Sequence, residues 1–409
     1  MSAFFSSASA ESSSAKPPVI HWTEAGQKHS AHWRSERNAP PPRHVLPADD
    51  TITADAAYRL ACEGTALLWR GDFHNASQLL QAMARRIDKM PARKQRKSEK
   101  AGSHAASPVD NFHRYRLARS QRARVLGSLL IPFNADYSIP LRRAPDVRQA
   151  CIEAWGPEQA TGVPSVASLR ELLGIIGAHE WRKKGIEILA LGNAPNNRIH
   201  PHYGVFSPVR GEYVDLVANA PLPRTGAERF VAFDIGTGTG VLAAVLARRN
   251  ADLVIATDQD PRALACAREN IARLSLEDQV HVVCADLFPE QRASLVVCNP
   301  PWLPARPASP IESAVYDEDS RMLLGFLNGL AAHLEPGGEG WLILSDFAEH
   351  LGLRSRAELL VAIERAGLRT VGRIDARPRH PKAADAGDAL HAARAAEVTS
   401  LWRLIATSG

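Results

Sequence analysis

Four short patterns between residues 234 and 302 bring together residue types that could hold a ligand. The first, D-I-G-T-G-T-G, runs from Asp234 to Gly240 after an apolar run and before the helical stretch "VLAAVLARR". Gly236, Gly238 and Gly240 give the chain backbone torsions closed to other residues and let a ligand approach the main chain. A dinucleotide fingerprint needs G-x-G-x-x-G, but position 241 is Val241, so the third glycine arrives one residue early. In the second pattern, "IATDQDP", the strand ends at Asp258, where a carboxylate can accept the hydroxyls of a ribose. In the third, "VVCADLF", the strand ends at Asp286, and the fourth, "VVCNPPW", ends on Asn299, Pro300, Pro301 and Trp302. Proline gives a sheet no N–H and restricts the residue before it, so the fourth run must leave its strand at Asn299 with carbonyls free of pairing. Asp260 precedes Pro261 and reads as a helix N-cap with proline in the first turn, so it is assigned no ligand.

The elements that must position these residues follow from the apolar pattern. "RFVAFDIG", "ADLVIATD", "QVHVVCAD", "SLVVCNPP" and "GWLILSD" are short apolar runs, and helical stretches lie between several of them. This alternation predicts an α/β fold with a mostly parallel sheet covered on both faces. Polar or acidic residues at successive strand ends are what such a sheet places around its ligand crevice. "LRTVGRIDARP" and "AEVTSLWRLIA" read as two further strands, the last pair antiparallel.

In combination these motifs resemble the Rossmann-like S-adenosylmethionine-dependent methyltransferases, and within them the group with an Asn-Pro-Pro-aromatic motif that methylates amide or exocyclic amine nitrogens. The similarity covers residues 199–409, about half the chain. It implies an enzyme using S-adenosylmethionine as cofactor, held by the turn from Asp234 through Gly236, Gly238 and Gly240, with Asp258 on the ribose and Asp286 near the adenine amine. It implies that Asn299 and the Pro300 carbonyl accept the N–H groups of a planar nitrogen while Trp302 stacks on it. Such a nitrogen has its lone pair delocalised and needs its N–H groups held and its lone pair aimed. "YGVFSPVRGEYVDLV" is similar to the segment before the core in release-factor glutamine methyltransferases, which makes Pro208, Arg210 and Glu212 candidate substrate contacts, with one extra residue between the proline and the arginine.

The remainder of the chain bounds the substrate. Of 409 residues, 45% are hydrophobic and 23% charged, the profile of a globular protein, and 49 Lys and Arg against 44 Asp and Glu give +5 and a pI near 9.0. Residues 1–48, rich in Ser, Ala and Pro, read as a disordered lead, and residues 49–190 as a mainly helical substrate-recognition domain interrupted by a flexible basic connector at 91–108. The methyltransferase domain is expected over 198–409. Five scattered cysteines without a C-x-x-C pair suggest free thiols in a reducing compartment. No signal peptide, membrane span or metal site is expected, "HPH" at 200–202 reading as a loop, and a cytoplasmic location is expected.

The macromolecular receiver is either a protein glutamine, favoured by the 208–212 segment, or a nucleic-acid base, favoured by the basic run Arg93 to Lys100 with Arg114 to Arg124. A non-catalytic subunit binding S-adenosylmethionine or RNA, and a small-molecule N-methyltransferase, are the alternatives.

Overall fold

The computed structural model describes residues 18–99, 107–157, 162–307, 312–378, 385 and 387–407. Two sheets organise them. In the C-terminal half, β9 (Val231–Ile235), β10 (Leu253–Asp258), β11 (Val280–Cys284), β12 (Ala293–Cys298), β13 (Leu334–Ser345), β14 (Leu368–Ala376) and β15 (Thr399–Ala406) form a seven-stranded sheet of order β11-β10-β9-β12-β13-β15-β14. The first five are parallel, and β15 runs antiparallel to both its neighbours, as expected of the last pair. Its strands are apolar on both faces because both are covered: Ala232 and Val297 point into one core, while Phe233 and Val296, the next positions along, point into the other. Helices α6 (Glu212–Asn219), α7 (Val241–Arg248) and α8 (Pro261–Arg273) belong to this half, as do α9 (Arg321–His333), α10 (Phe347–His350), α11 (Arg356–Arg365) and α12 (His391–Ala396).

The N-terminal half corrects two expectations. Residues 18–48 are not a disordered lead but supply three strands, β1 (Val19–Glu24), β2 (Gln27–Arg34) and β3 (His44–Ala48); residues 1–17 lie outside the described residues. β1 and β2 form a hairpin over Ala25 and Gly26, both at positive φ (48° and 79°), the twist that suits a two-residue turn. With β4 (Thr65–Trp69), β5 (Leu129–Phe133) and β6 (Ser165–Ser168) they make a six-stranded mixed sheet of order β1-β2-β6-β5-β4-β3. The expected helices are present as α1 (Ala54–Cys62), α2 (Phe73–Glu99), α3 (Pro108–Leu126), α4 (Arg148–Trp155) and α5 (Leu169–Lys184), but several of them pack on that sheet through a core of Leu67, Trp69, Leu129 and Ile131. The expected connector at 91–108 is corrected as well: α2 continues through Glu99 and α3 begins at Pro108, capped by the Ser107 hydroxyl, while 100–106 lie outside the described residues. Between the halves is a two-stranded ladder of β7 (Ile186–Glu187) and β8 (Arg198–Ile199).

The two halves are in direct contact. Phe112 of α3 is buried against Leu303, Phe347 and Leu351, and Arg116 donates to the Arg306 carbonyl at 2.6 Å and lies 4.5 Å over the Tyr316 ring. Arg262 pairs with Glu36 at 2.7 Å, and Arg182 with Glu269 at 2.6 Å. Among the described residues no helix is long and apolar enough to cross a membrane, and no cluster of three or more His, Cys, Asp or Glu could hold a metal ion.

Candidate active site

The glycine turn is built by the strand before it. Asp234, fully buried on β9, accepts the Thr237 hydroxyl at 2.6 Å and the Ala243 N–H at 3.0 Å through one oxygen, tying the turn to the start of α7. The N–H groups of Gly236 and Thr237 both bond the Thr257 carbonyl of β10, at 2.9 and 2.8 Å. Gly236, Gly238 and Gly240 all have positive φ. Their lacking side chains matter differently: a Cβ on Gly236 would collide with the Met322 methyl, whereas a Cβ on Gly238 would meet nothing within 4 Å, because that face opens on a cleft. Asp234 lines the cleft but is almost wholly buried, and its two hydrogen bonds brace the turn. Burial pushes its carboxyl up to about 6 against the pull of those two hydrogen bonds.

The strand ends converge on the same cleft, whose volume is about 2060 Å³. Gly236, Gly238, Asp258, Asp286, Asn299, Pro300 and Trp302 all line it. Asp258 accepts the Gly238 N–H with one oxygen and the Asp260 N–H with the other, both at 3.0 Å, so each oxygen keeps acceptor capacity for a further donor. Asp286 is exposed, accepts the Gln259 amide, and has Arg321 at 3.8 Å. These groups fit S-adenosylmethionine: an open glycine face, a carboxylate at the end of the second strand with spare lone pairs, and an exposed carboxylate at the end of the third. Asp260 caps α8 through the Arg262 N–H at 2.8 Å, with Pro261 in the first turn.

Within the fourth strand end, the Trp302 indole N–H donates to the Asn299 Oδ1 at 2.9 Å. An indole nitrogen can only donate, so the atom facing it must be the amide oxygen, and Trp302 thereby fixes which way Asn299 points. Trp302 also packs on both faces of the core. No reading of spacing supplied this bond, although an i to i+3 pair across two prolines is the signal that could have. Asp317 is another residue the sequence did not mark. It accepts the Met322 N–H with both carboxylate oxygens and the Leu323 N–H with one, which anchors α9 and with it the Met322 side chain beneath Gly236.

The 208–212 segment divides. Arg210 lines the cleft and pairs with buried Glu397 at 3.3 Å, an oxygen that also accepts the Ser345 hydroxyl at 2.8 Å. Pro208 is buried and does not line the cleft. Glu212 is buried in the first turn of α6, its Oε1 without a hydrogen-bond partner, and it does not line the cleft either. The two histidines of "HPH" are engaged structurally: His200 bonds the Arg182 carbonyl at 2.6 Å, and His202 bonds Glu269 at 2.7 Å. His200 also donates its N–H to Asn270, whose amide reaches the Thr239 carbonyl, so this loop braces the glycine turn.

Comparison with known proteins agrees with this geometry. Residues 196–356 match the family model of the methyltransferase small domain. A release factor glutamine methyltransferase of Cereibacter sphaeroides is 34% identical over 119 residues, 26% of this chain and 43% of that protein. A tRNA1(Val) (adenine(37)-N6)-methyltransferase of Bacteroides fragilis is 33% identical over 145 residues, 31% of this chain and 61% of its own length. A ribosomal protein L11 methyltransferase of Chelativorans sp. is 35% identical over 119 residues, 29% of this chain and 36% of the relative. The chain thus spans between 36% and 61% of the length of these relatives. Across its C-terminal half the chain is similar to the Rossmann-like S-adenosylmethionine-dependent methyltransferases, the resemblance that D-I-G-T-G-T-G and N-P-P-W carry.

Proposed function

We propose that the protein is an N-methyltransferase that moves a methyl group from S-adenosylmethionine to a planar nitrogen of a macromolecule. The observation that carries this reading is the convergence of the open Gly238 face and Asn299 on one cleft. In it, the main chain at Gly238 and the spare lone pairs of Asp258 hold the cofactor, and Asp286 accepts from the adenine amine. Bound there, S-adenosylmethionine supplies a methyl already activated on a sulfonium, so the protein's task is positioning and electrostatics.

Asn299 performs the positioning. One lone pair of its Oδ1 is taken by Trp302, and the other accepts an N–H of the receiving amide or amine. With the Pro300 carbonyl accepting the second N–H, the nitrogen is rotated so that its lone pair leaves the plane and faces the methyl. Two acceptors also favour the positive charge that develops on nitrogen as the methyl arrives. Trp302 has two roles in this reading, fixing the amide and offering its ring face to the planar group.

The test is transfer of radiolabel from S-adenosylmethionine to an extract lacking this protein, with parallel digestion by nuclease and protease. Label in a macromolecule that disappears with N299A supports the reading. Label confined to small molecules, or unchanged in N299A, would overturn it.

A further inference from the structure

The cleft has a second wall, contributed by the N-terminal half, and its charge is opposite to that of the wall carrying the strand ends. Arg37, Arg43, Arg116, Arg119, Arg124 and Arg170 all line it. Among the described residues Glu171 is the only carboxylate on that wall, and it accepts the Glu36 N–H at 2.7 Å and the Ser35 hydroxyl at 3.2 Å. Arg116 is engaged with the Arg306 carbonyl and Tyr316, and Arg119 with the Tyr115 hydroxyl at 2.9 Å. Among the described residues the guanidinium groups of Arg37, Arg43, Arg124 and Arg170 make no direct hydrogen bond or ion pair, and Glu171 is the carboxylate whose charge reaches Arg37 and Arg170. Arg170 is half-buried, and burial together with the nearby guanidinium groups of Arg37, Arg122 and Arg119 pushes it down to about 10.

Like charges gathered in excess of their counterions destabilise a fold, and a protein tolerates them where a ligand supplies the missing charge. Planar guanidinium groups match phosphate oxygens in paired hydrogen bonds. Trp181 of α5, on the same wall, is 48% accessible and lines the cleft. A basic groove with an exposed ring is the pairing that binds single-stranded nucleic acid, phosphates on the cations and an unstacked base on the ring. An acidic peptide would use the cations but has no need of the ring.

We infer that Arg37, Arg43, Arg124 and Arg170, with Trp181, form a phosphate-and-base site that holds a single strand of nucleic acid across the cleft, directing one base toward Asn299. The inference rests on the methyl-transfer reading only for what happens at Asn299; the binding is measurable without it.

The experiment follows fluorescence anisotropy of labelled single-stranded RNA and DNA of about 16 nucleotides, the upper range of a compact strand-binding site, against the full chain over a series of salt concentrations. The dissociation constant should rise steeply with salt. The R37Q and R170Q substitutions should each weaken binding roughly tenfold, the size of a lost charge-assisted hydrogen bond. Each should also flatten the log–log salt dependence by about 0.7. R170K should restore most of the slope, and W181A should weaken binding by about tenfold, the size of a lost base stack, without changing the slope. Thermal unfolding of the arginine variants should be unchanged or raised, which separates a binding defect from a folding one. Oligonucleotide affinity unchanged in R37Q and R170Q, or polyglutamate bound more tightly than RNA, would overturn the site. RNA binding stronger than DNA binding would assign the strand to RNA, and the reverse to DNA, either outcome supporting the site. Failure to bind S-adenosylmethionine by calorimetry would sink the methyl-transfer reading and leave the strand site standing.

Discussion

Replacing Asp234 by Asn should make the protein less sensitive to pH and, at neutral pH, more stable. Both hydrogen bonds at this position are accepted by one oxygen, from the Thr237 hydroxyl and the Ala243 N–H, and an Asn side-chain oxygen can accept the same two. What the substitution removes is a buried charge. Burial raises the Asp234 carboxyl from 3.8 to about 6, so the folded protein holds this proton more tightly than the unfolded chain. The stability this group allows is therefore fully present below pH 3.8 and is lost as pH rises through about 6. At about 1.4 kcal/mol per pH unit, its ionisation costs the fold about 2 kcal/mol between pH 4 and pH 7.5. Urea unfolding of wild type and D234N across that range isolates the contribution of Asp234 and its coupling to Asp258, because titrating groups that do not interact with Asp234 cancel in the difference. The gap should widen in favour of D234N by about 2 kcal/mol as pH rises. A gap independent of pH, or one that narrows, would refute the assignment of Asp234 as a buried brace for the turn.

Other perturbations follow from the same geometry. W302F keeps an aromatic ring but loses the indole donor to Asn299, so the transfer rate should fall about fivefold, the value of one hydrogen bond of about 1 kcal/mol, with cofactor affinity unchanged; equal rates would show that Trp302 does not orient the amide. G238A should lower stability by about 1–2 kcal/mol for its left-handed backbone, and cofactor affinity should drop further as a methyl enters the open face; G236A should cost more stability, since it also displaces Met322, and denaturant midpoints rank the two. Glu269 shows the opposite pH behaviour to Asp234: burial raises its carboxyl but hydrogen bonds from Arg273, His202 and Arg182 outweigh this and hold it at about 2, below the usual 4.5. Its stabilisation is present above pH 4.5 and fades as pH falls toward 2, so the stability gap between wild type and E269Q should close in acid.

The site was more legible in the sequence than the N-terminal half, for physical reasons. Parallel strands buried on both faces read as unbroken apolar runs, and the residues at their ends are glycine, Asp, Asn and Pro, types whose backbone and acceptor chemistry is distinctive. β1 and β2 bury only Ile20, Ala31 and Trp33, so "VIHWTE" and "QKHSAHWR" carry too little apolar alternation to stand out, and their turn uses Ala-Gly in place of the favoured Asn-Gly. β3 contains Pro47, which is admissible because β3 lies at the sheet edge, a fact only the topology supplies. β6 has four residues and runs straight into α5 through Ser168, which serves as the helix N-cap, so its pattern merges with the helix. The bond from Trp302 to Asn299 depends on side-chain direction, and the gathering of Arg37, Arg43, Arg124 and Arg170 depends on contacts among distant segments. Neither is a property of spacing.

The glycine turn and Asn299 line one cleft, and in the proposed reaction their tasks are separable. The most direct measurement pairs calorimetric binding of S-adenosylmethionine with single-turnover label transfer for wild type, N299A and D258A. N299A should bind the cofactor as wild type does but transfer nothing, whereas D258A should lose the binding itself. Transfer surviving in N299A, or cofactor binding untouched in D258A, would contradict this separation of tasks.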